Sequence, residues 1–311
     1  MRPFRLAVLV VCLGGLLYGG WALATSRPLL EVLAIDEVMA GTDWTALIRV
    51  RDMSDGDTVQ VVAFHGLSRI EETIQLGTGG IAEWTIAPQK LTQSGTTLVV
   101  FQYGELQTRF YLSVLAEQPA SMQAFTTDNS IRAYGLDQTE IISMVADRFG
   151  NPIKHAKIVV ELMNPIGERQ IYFSNVSNGF GAIAVQSYGK PGTLRLNVMT
   201  EGVEQRLLLP QHPTEPHFIT LTLEPDCILN DGLERIELHA TVLDLLHNAV
   251  IDGTILTIRW ANGYGTPLTV GGKAVLRLPA PQAVGEYGYL ATIGEIQTSA
   301  TLRVADQNCS E

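Results

Sequence analysis

A strict alternation of apolar and polar residues, closing on an aspartate and a turn, occurs three times along the chain. The three segments are 44–52, 141–147 and 236–244, and they end on Asp52, Asp147 and Asp244. Alternation with a period of two is typical of a β-strand that packs one face against a core and leaves the other in solvent. Each segment is therefore predicted to be a strand that runs into a loop.

Two further shared features follow each of these strands in the same order. A second strand is predicted over 80–84, 181–185 and 272–276, and a turn that opens a third strand lies at 94–96, 191–193 and 284–286. The aspartates that end the first strands are 95 and 97 residues apart. Repeats of this length, built from short strands, are the size of an immunoglobulin-like β-sandwich. Apart from an N-terminal apolar segment, no stretch of the sequence has helical periodicity. The predicted fold is therefore all-β: a tandem of three immunoglobulin-like β-sandwich domains after one N-terminal hydrophobic helix.

Proline-containing stretches at 117–119 and 210–216 suggest where the repeats are joined. The second stretch has three prolines within seven residues, which favours an extended, semi-stiff connection. The predicted boundaries are 1–27 for a signal peptide or signal anchor, 28–117, 118–210 and 217–306 for the three β-sandwiches, and 307–311 for a tail.

The N-terminal segment indicates export. Arg2 and Arg5 precede the apolar run 6–24, which ends in an Ala-Leu-Ala pattern that a signal peptidase could cut before Thr25. The run is also long enough to stay as a membrane anchor across a hydrocarbon core of ~30 Å, so both readings remain open. In either case the positive residues stay inside, and the rest of the chain is predicted to be extracytoplasmic, in the periplasm or at the cell surface. Any membrane contact is expected only through residues 6–24, if they are uncleaved.

Charge narrows the class of partner. The chain carries a formal net charge of −11 and has no cluster of lysine and arginine in its sequence. Nucleic acid is therefore excluded as a partner, and an anionic lipid surface is a poor one. A protein or a glycan at the cell envelope is the expected partner.

Two cysteines lie in the part of the chain that is predicted to be exported. Cys227 precedes the first long strand of the third repeat, and Cys309 lies beyond its last strand. An oxidising compartment would permit a disulfide between them, which would staple the tail to that domain. Two separate thiols are the alternative.

The second repeat carries a motif that resembles a known family. Its residues are Val145, Asp147, Gly150, Asn151, Pro152, Ile153, Ala156 and Ile158, followed by Ala182, Lys190, Gly192 and Thr193. This pattern resembles the bacterial immunoglobulin-like domains of the invasin and intimin type, and it covers residues 120–209. The flanking repeats lack the Gly-Asn-Pro turn, having 246–250 and 53–57 in its place, and are similar to diverged immunoglobulin-like or macroglobulin-like sandwiches. The resemblance implies a surface or extracytoplasmic module, often in tandem, with no catalytic residues.

The motif residues also have a physical interpretation of their own. Asp147 can accept backbone hydrogen bonds across the loop that follows its strand. Gly150 and Asn151 support a turn with positive φ, and Pro152 stiffens the chain where it re-enters the sheet. We expect these four residues to specify the fold.

Catalytic and metal-binding patterns are weak in this sequence. Asp52, Asp55 and Asp57 surround a glycine in one loop and are a weak candidate for a calcium site; an ordinary turn is the favoured explanation, because the full loop spacing and a distal glutamate are lacking. No histidine pattern suits zinc, and no nucleophile motif is present, so we expect neither an enzyme nor a cofactor. Trp44, Trp84 and Trp260 share the parity of apolar neighbours and are predicted to face the core, which disfavours a glycan platform.

These patterns predict a non-catalytic extracytoplasmic tandem with a structural, adhesive or envelope-assembly role. The alternative is a glycan- or small-ligand-binding module, or an accessory subunit of an envelope complex.

Overall fold

The structure, a computed structural model, describes residues 29–54, 56–230, 235–306 and 309. The predicted N-terminal hydrophobic helix, Asp55 and most of the predicted tail lie outside these residues. Within the described part of the chain, no helix is long and apolar enough to cross a membrane.

The first repeat contributes eight strands in two sheets. They are β1 Leu29–Leu33, β2 Glu37–Met39, β3 Trp44–Arg51, β4 Thr58–His65, β5 Ser68–Gln75, β6 Ile81–Ile86, β7 Gly95–Tyr103 and β8 Leu106–Leu115. One sheet has the order β1-β3-β6 and the other the order β2-β8-β7-β4-β5, in which β2 and β8 are parallel. A short 3-10 turn, Pro88–Lys90, follows β6.

The second repeat forms eight further strands. They are β9 Ser121–Thr126, β10 Ile131–Arg132, β11 Gln138–Ala146, β12 His155–Met163, β13 Arg169–Ser177, β14 Phe180–Gln186, β15 Gly192–Thr200 and β16 Val203–His212. Their order is β10-β16-β15-β12-β13-β14-β11-β9, but β13 and β14 are joined through the single pair Ser177 and Phe180. The sheet is therefore folded there into two layers that enclose one apolar cluster, which includes Ile158, Leu194 and Leu196.

The third repeat returns to two separate sheets. Its strands are β17 Pro216–Glu224, β18 Cys227–Leu229, β19 Arg235–Asp244, β20 Thr257–Trp260, β21 Gly263–Gly265, β22 Lys273–Pro279, β23 Gly285–Ile293 and β24 Ile296–Ala305. The sheets have the orders β17-β19-β22 and β18-β24-β23-β20-β21. Alternate residues of β19, from Ile236 to Val242, face the cluster between them.

The chain divides into two compact units. Unit one contains the residues up to Asp36, Trp44–Ile86 and Thr97–Leu112, and unit two contains Glu37–Asp43, Ala87–Thr96 and everything from Ser113 onward. Three short segments of the first repeat, 37–43, 87–96 and 113–117, thus belong to the same compact unit as the second and third repeats.

The tryptophans predicted to face the core do so in unit one. Trp44 and Trp84 are 1% and 3% exposed, and their rings meet edge to face with centroids 6.0 Å apart. Each indole N–H has a partner, since Trp44 Nε1 donates to the Ile35 carbonyl at 2.7 Å and Trp84 Nε1 donates to Glu72 at 2.7 Å. In unit two, Trp260 is half-buried and packs against the third-repeat cluster. These side chains are core residues and offer no exposed aromatic platform.

Candidate functional site

A buried aspartate organises the loop that follows β11. Asp147 is 2% exposed, and its Oδ1 accepts hydrogen bonds from the amides of Phe149 and Asn151 at 2.8 and 2.9 Å. Its Oδ2 accepts from the Glu117 amide at 3.0 Å and from Asn151 Nδ2 at 2.8 Å. An ionised carboxylate has only acceptor sites, so it suits a place where four N–H groups converge. Asp147 thus accepts hydrogen bonds across the loop that follows its strand.

The neighbouring asparagine reaches a different part of unit two. Asn151 is 7% exposed; its Nδ2 donates to the Thr92 carbonyl at 2.8 Å, and its Oδ1 accepts from the Ser94 amide at 2.7 Å. Its partners lie 57 and 59 residues earlier in the chain. The sequence motif predicts only a turn role for Asn151, whereas in the structure this side chain ties its loop to the segment 87–96.

The same arrangement recurs after β19, at positions 97 residues later. Asp244 is 0% exposed, and its Oδ1 accepts from the amides of Leu246 and Asn248 at 2.9 and 2.8 Å. Its Oδ2 accepts from the Thr214 amide and from Asn248 Nδ2, both at 3.1 Å. Asn248 Nδ2 also donates to the Gly189 carbonyl at 3.0 Å. We call these two clusters the joints: the first contains Asp147 and Asn151, and the second contains Asp244 and Asn248.

One position in each joint requires a left-handed backbone. Gly150 has a φ of 83° in the first joint, and His247 has a φ of 59° in the second. A side chain in this region is strained, which is why the family pattern has glycine there. The His247 ring stacks on Phe218 at 4.7 Å between centroids. The loop of the second joint lacks the Gly-Asn-Pro sequence, so the family motif does not identify it. The Asp-x-x-x-Asn spacing that the two loops share does identify it.

The first repeat does not repeat this arrangement. Asp52, which the spacing aligns with Asp147 and Asp244, is exposed and itself has a positive φ of 58°. Asp57 instead accepts a hydrogen bond from the Ser54 amide at 2.8 Å and a short one from the Tyr103 hydroxyl. The Tyr103 hydrogen bond lowers the pKa of Asp57, and the same contact raises the pKa of Tyr103.

The calcium candidate stays a prediction. Asp55 lies outside the described residues, and no group of three histidine, cysteine, aspartate or glutamate side chains in the described part of the chain is arranged to hold a metal ion.

The joint aspartates are held in the ionised form. Burial raises the pKa of Asp147, but hydrogen bonds from Asn151, Glu117 and Phe149 outweigh it, so the pKa lies below its ordinary value. Burial likewise raises the pKa of Asp244, and hydrogen bonds from Asn248, Thr214 and Leu246 bring it below the ordinary value. The joints therefore depend on two buried negative charges that backbone and amide N–H groups solvate in place of water.

The remaining candidate residues occupy separate places in unit two. Cys227 and Cys309 form a disulfide, with their Cα atoms 5.7 Å apart. Pro152, after the first joint, forms an isolated β-bridge with Ala146.

An open groove of about 600 Å³ is lined by Arg132, Tyr134, Leu136 and His217, among others, and none of its lining residues is buried. It lacks the enclosed polar groups that orient a small ligand.

Comparisons with known proteins identify the fold. No protein-family model and no curated protein matches the chain. Among solved structures, invasin, described as a bacterial integrin-binding protein, matches with 16% identity and a TM-score of 0.57 over 89% of this chain and 60% of its own. InvD of Yersinia pseudotuberculosis matches with 15% identity and a TM-score of 0.52 over 90% of this chain and 97% of its own.

These structures confirm at the level of fold the resemblance found in residues 120–209. The described residues have the all-β, immunoglobulin-like fold of invasin-type bacterial domains. The chain spans 60% of the invasin chain that it matches.

Proposed function

We propose that the protein is an extracytoplasmic tandem of three immunoglobulin-like β-sandwich domains, at 28–117, 118–210 and 217–306, with a structural, adhesive or envelope-assembly role and no catalysis. Signal cleavage before Thr25 or retention of residues 6–24 as an anchor would both deliver it outside the cytoplasm. Proteins of similar fold include a bacterial integrin-binding protein, which supports a protein partner at the envelope.

The observation that carries this proposal is the repeated joint. Two loops 97 residues apart each contain an aspartate and an asparagine with the same contacts. The aspartate accepts a hydrogen bond from a linker amide, and the asparagine donates one to a carbonyl 59 residues before it. A chain whose modules act independently has no need of buried charges at each connection, because a polar flexible linker suffices. A linker whose amide is bound in this way is an ordered part of the fold, which suits a tandem with a structural or adhesive role.

The alternative of a small-ligand or glycan module is less well supported. The described tryptophans lie in or against the cores, and the groove of about 600 Å³ is open and lined by exposed or half-exposed side chains. Catalysis would require polar groups that converge in a cleft. The buried carboxylates of unit two are instead occupied by the joints.

Fractionation of cells that produce the full-length protein tests the proposal. We expect the chain in the periplasm or at the surface, digested by protease that cannot enter the cytoplasm, with an N-terminus at Thr25 or an intact Met1. Sequencing of the N-terminus distinguishes a cleaved signal from an anchor. A protease-protected protein in the cytoplasmic fraction would overturn the proposal.

A further inference from the structure

The outward surface of strands β12, β13, β15 and β16 differs from the rest of this acidic chain. Here the outward side chains include four cations, Lys157, Arg169, Arg195 and Arg206, and two carboxylates, Glu161 and Glu204. The surface thus carries a net positive charge on a protein whose formal net charge is −11. We call this surface the arginine face.

Register places the key side chains of the arginine face side by side. Arg195 of β15 lies opposite Leu208 of β16 and Met163 of β12, and Asn197 lies opposite Arg206 and Glu161. Residues opposite each other in neighbouring strands project from the same face of a sheet. Together with Arg169 they line a shallow concavity of about 300 Å³.

Arg195 is the group in this concavity that has capacity to bind a partner. Arg169 pairs with Glu161 at 2.6 Å and Arg206 pairs with Glu204 at 3.0 Å, but Arg195 has no ion-pair partner among the described residues. The Asn197 Oδ1 atom is buried and likewise has no hydrogen-bond partner in the described part of the chain. Because the protein encloses that oxygen, a docked segment would contact Arg195 instead.

Several apolar side chains around the concavity are exposed. Leu208 is 70% exposed, Phe173 61%, Ile171 50% and Met163 39%. Lys157 Nζ lies over the Phe173 ring at 4.4 Å from its centroid. Arginine, methionine and aromatic residues are enriched in protein interfaces, and clustered exposed apolar residues mark interaction sites.

We infer that the arginine face docks an acidic protein segment, with a carboxylate on Arg195 and apolar side chains against Leu208 and Met163. A polyanionic glycan fits this surface less well, because it would leave the exposed aliphatic side chains of Leu208 and Met163 uncovered. The inference rests on the proposed extracytoplasmic role and names the chemistry of the partner.

Site-specific photo-crosslinking of the full-length protein in its native cells tests this inference. A benzophenone amino acid replaces Leu208, and the same amino acid in place of Val270, which is 72% exposed in the third repeat, is the control position. We expect position 208 to crosslink a protein through a peptide that contains aspartate or glutamate.

Charge variants then test the mode of binding. Arg195→Glu should reduce the adduct at position 208 by about tenfold or more, as for an interface hot spot, and Arg195→Lys should reduce it less. Arg277→Glu is the matched control, because Arg277 is an exposed arginine in the third repeat that pairs with Glu237 at 2.7 Å, and it should leave the adduct unchanged. Unchanged thermal melting of the variants shows that the fold is intact.

Four results would overturn the inference: no adduct above that of position 270, an adduct carried by glycan or lipid, an adduct that survives Arg195→Glu, or a crosslinked peptide without acidic residues. If fractionation finds the protein exported and position 208 gives no crosslink, the inferred docking at the arginine face is wrong and the proposed function stands. If the protein is cytoplasmic, the proposed function itself fails.

Discussion

At the scale of the residue, two aspartates and two asparagines make the joints. Each aspartate accepts four N–H groups, and each asparagine carries the connection to a carbonyl far back in the chain. Glutamate would be a methylene too long for this loop, and an amide in place of the carboxylate would bring a donor against donors. The chemistry of the site therefore explains why the residue that closes the first strand of the second and third repeats is an aspartate.

Asp147→Asn should destabilise the second repeat by ~2–4 kcal/mol, because it removes charge-assisted hydrogen bonds and leaves buried N–H groups unpaired. Hydrogen exchange of the full-length protein measures the effect directly: the amides of Phe149, Asn151 and Glu117 should exchange faster. Asp244→Asn should do the same for the amides of Leu246, Asn248 and Thr214.

Asp52→Asn is the matched control for this pair of variants. Asp52 occupies the aligned position in the first repeat but is exposed, so its change should alter stability by no more than ~0.5 kcal/mol. Equal effects of Asp52→Asn and Asp147→Asn would contradict the assignment of the joints.

At the scale of the element, strands were well predicted from the sequence. The alternating segments 44–52, 141–147 and 236–244 are β3, β11 and β19, and the predicted second strands are β6, β14 and β22. The predicted turns open the strands that begin at Gly95, Gly192 and Gly285. Alternation is a local property of an extended chain, and it survives in the sequence wherever one face of a strand is buried.

The sequence patterns predict the strands but not which strands pair with each other. β18 pairs in parallel with β24, which places Cys227 beside Arg303. The disulfide then joins Cys227 to Cys309, which follows β24 in the chain. The sequence alone does not decide whether the disulfide forms, because a parallel pairing of the two strands would offset the two sulfur atoms. The tertiary structure decides that the disulfide forms, because it brings the Cα atoms of Cys227 and Cys309 within 5.7 Å of each other.

The disulfide should stabilise the third repeat. The two cysteines are 82 residues apart, and a closed loop of that length restricts the unfolded chain enough to contribute ~2–5 kcal/mol. Reductant or Cys227→Ser should therefore lower the thermal midpoint of the full-length protein. Reductant should have no additional effect on Cys227→Ser; a further fall in that variant would mean that the stabilisation has another source.

At the scale of the whole molecule, the joints link stability to pH. The pKa values of Asp147 and Asp244 are lower in the folded chain than their ordinary value of 3.8. A depressed pKa contributes stability that is fully present above the unfolded-state value and is lost as pH falls toward and through the folded-state value. We therefore expect stability to decline below about pH 4.

Thermal melting of the full-length protein from pH 6 to pH 2 checks this expectation. The double variant Asp147→Asn, Asp244→Asn should start from a lower midpoint and lose less on acidification, because its joints no longer release protons on folding. A variant that falls as steeply as the wild type below pH 4 would assign the acid sensitivity to other carboxylates.

The sequence by itself determined the all-β class, three copies of a strand pattern, the core orientation of Trp44 and Trp84, and the acceptor role of Asp147. These follow from periodicity and turn chemistry, which act over a few neighbouring residues. Only the tertiary structure decided that Asn151 binds Thr92 and Ser94, and that His247 occupies the place of Gly150. It also assembled the arginine face from four strands. Such features depend on strand order and register, which bring residues far apart in the chain into contact and which no local pattern records.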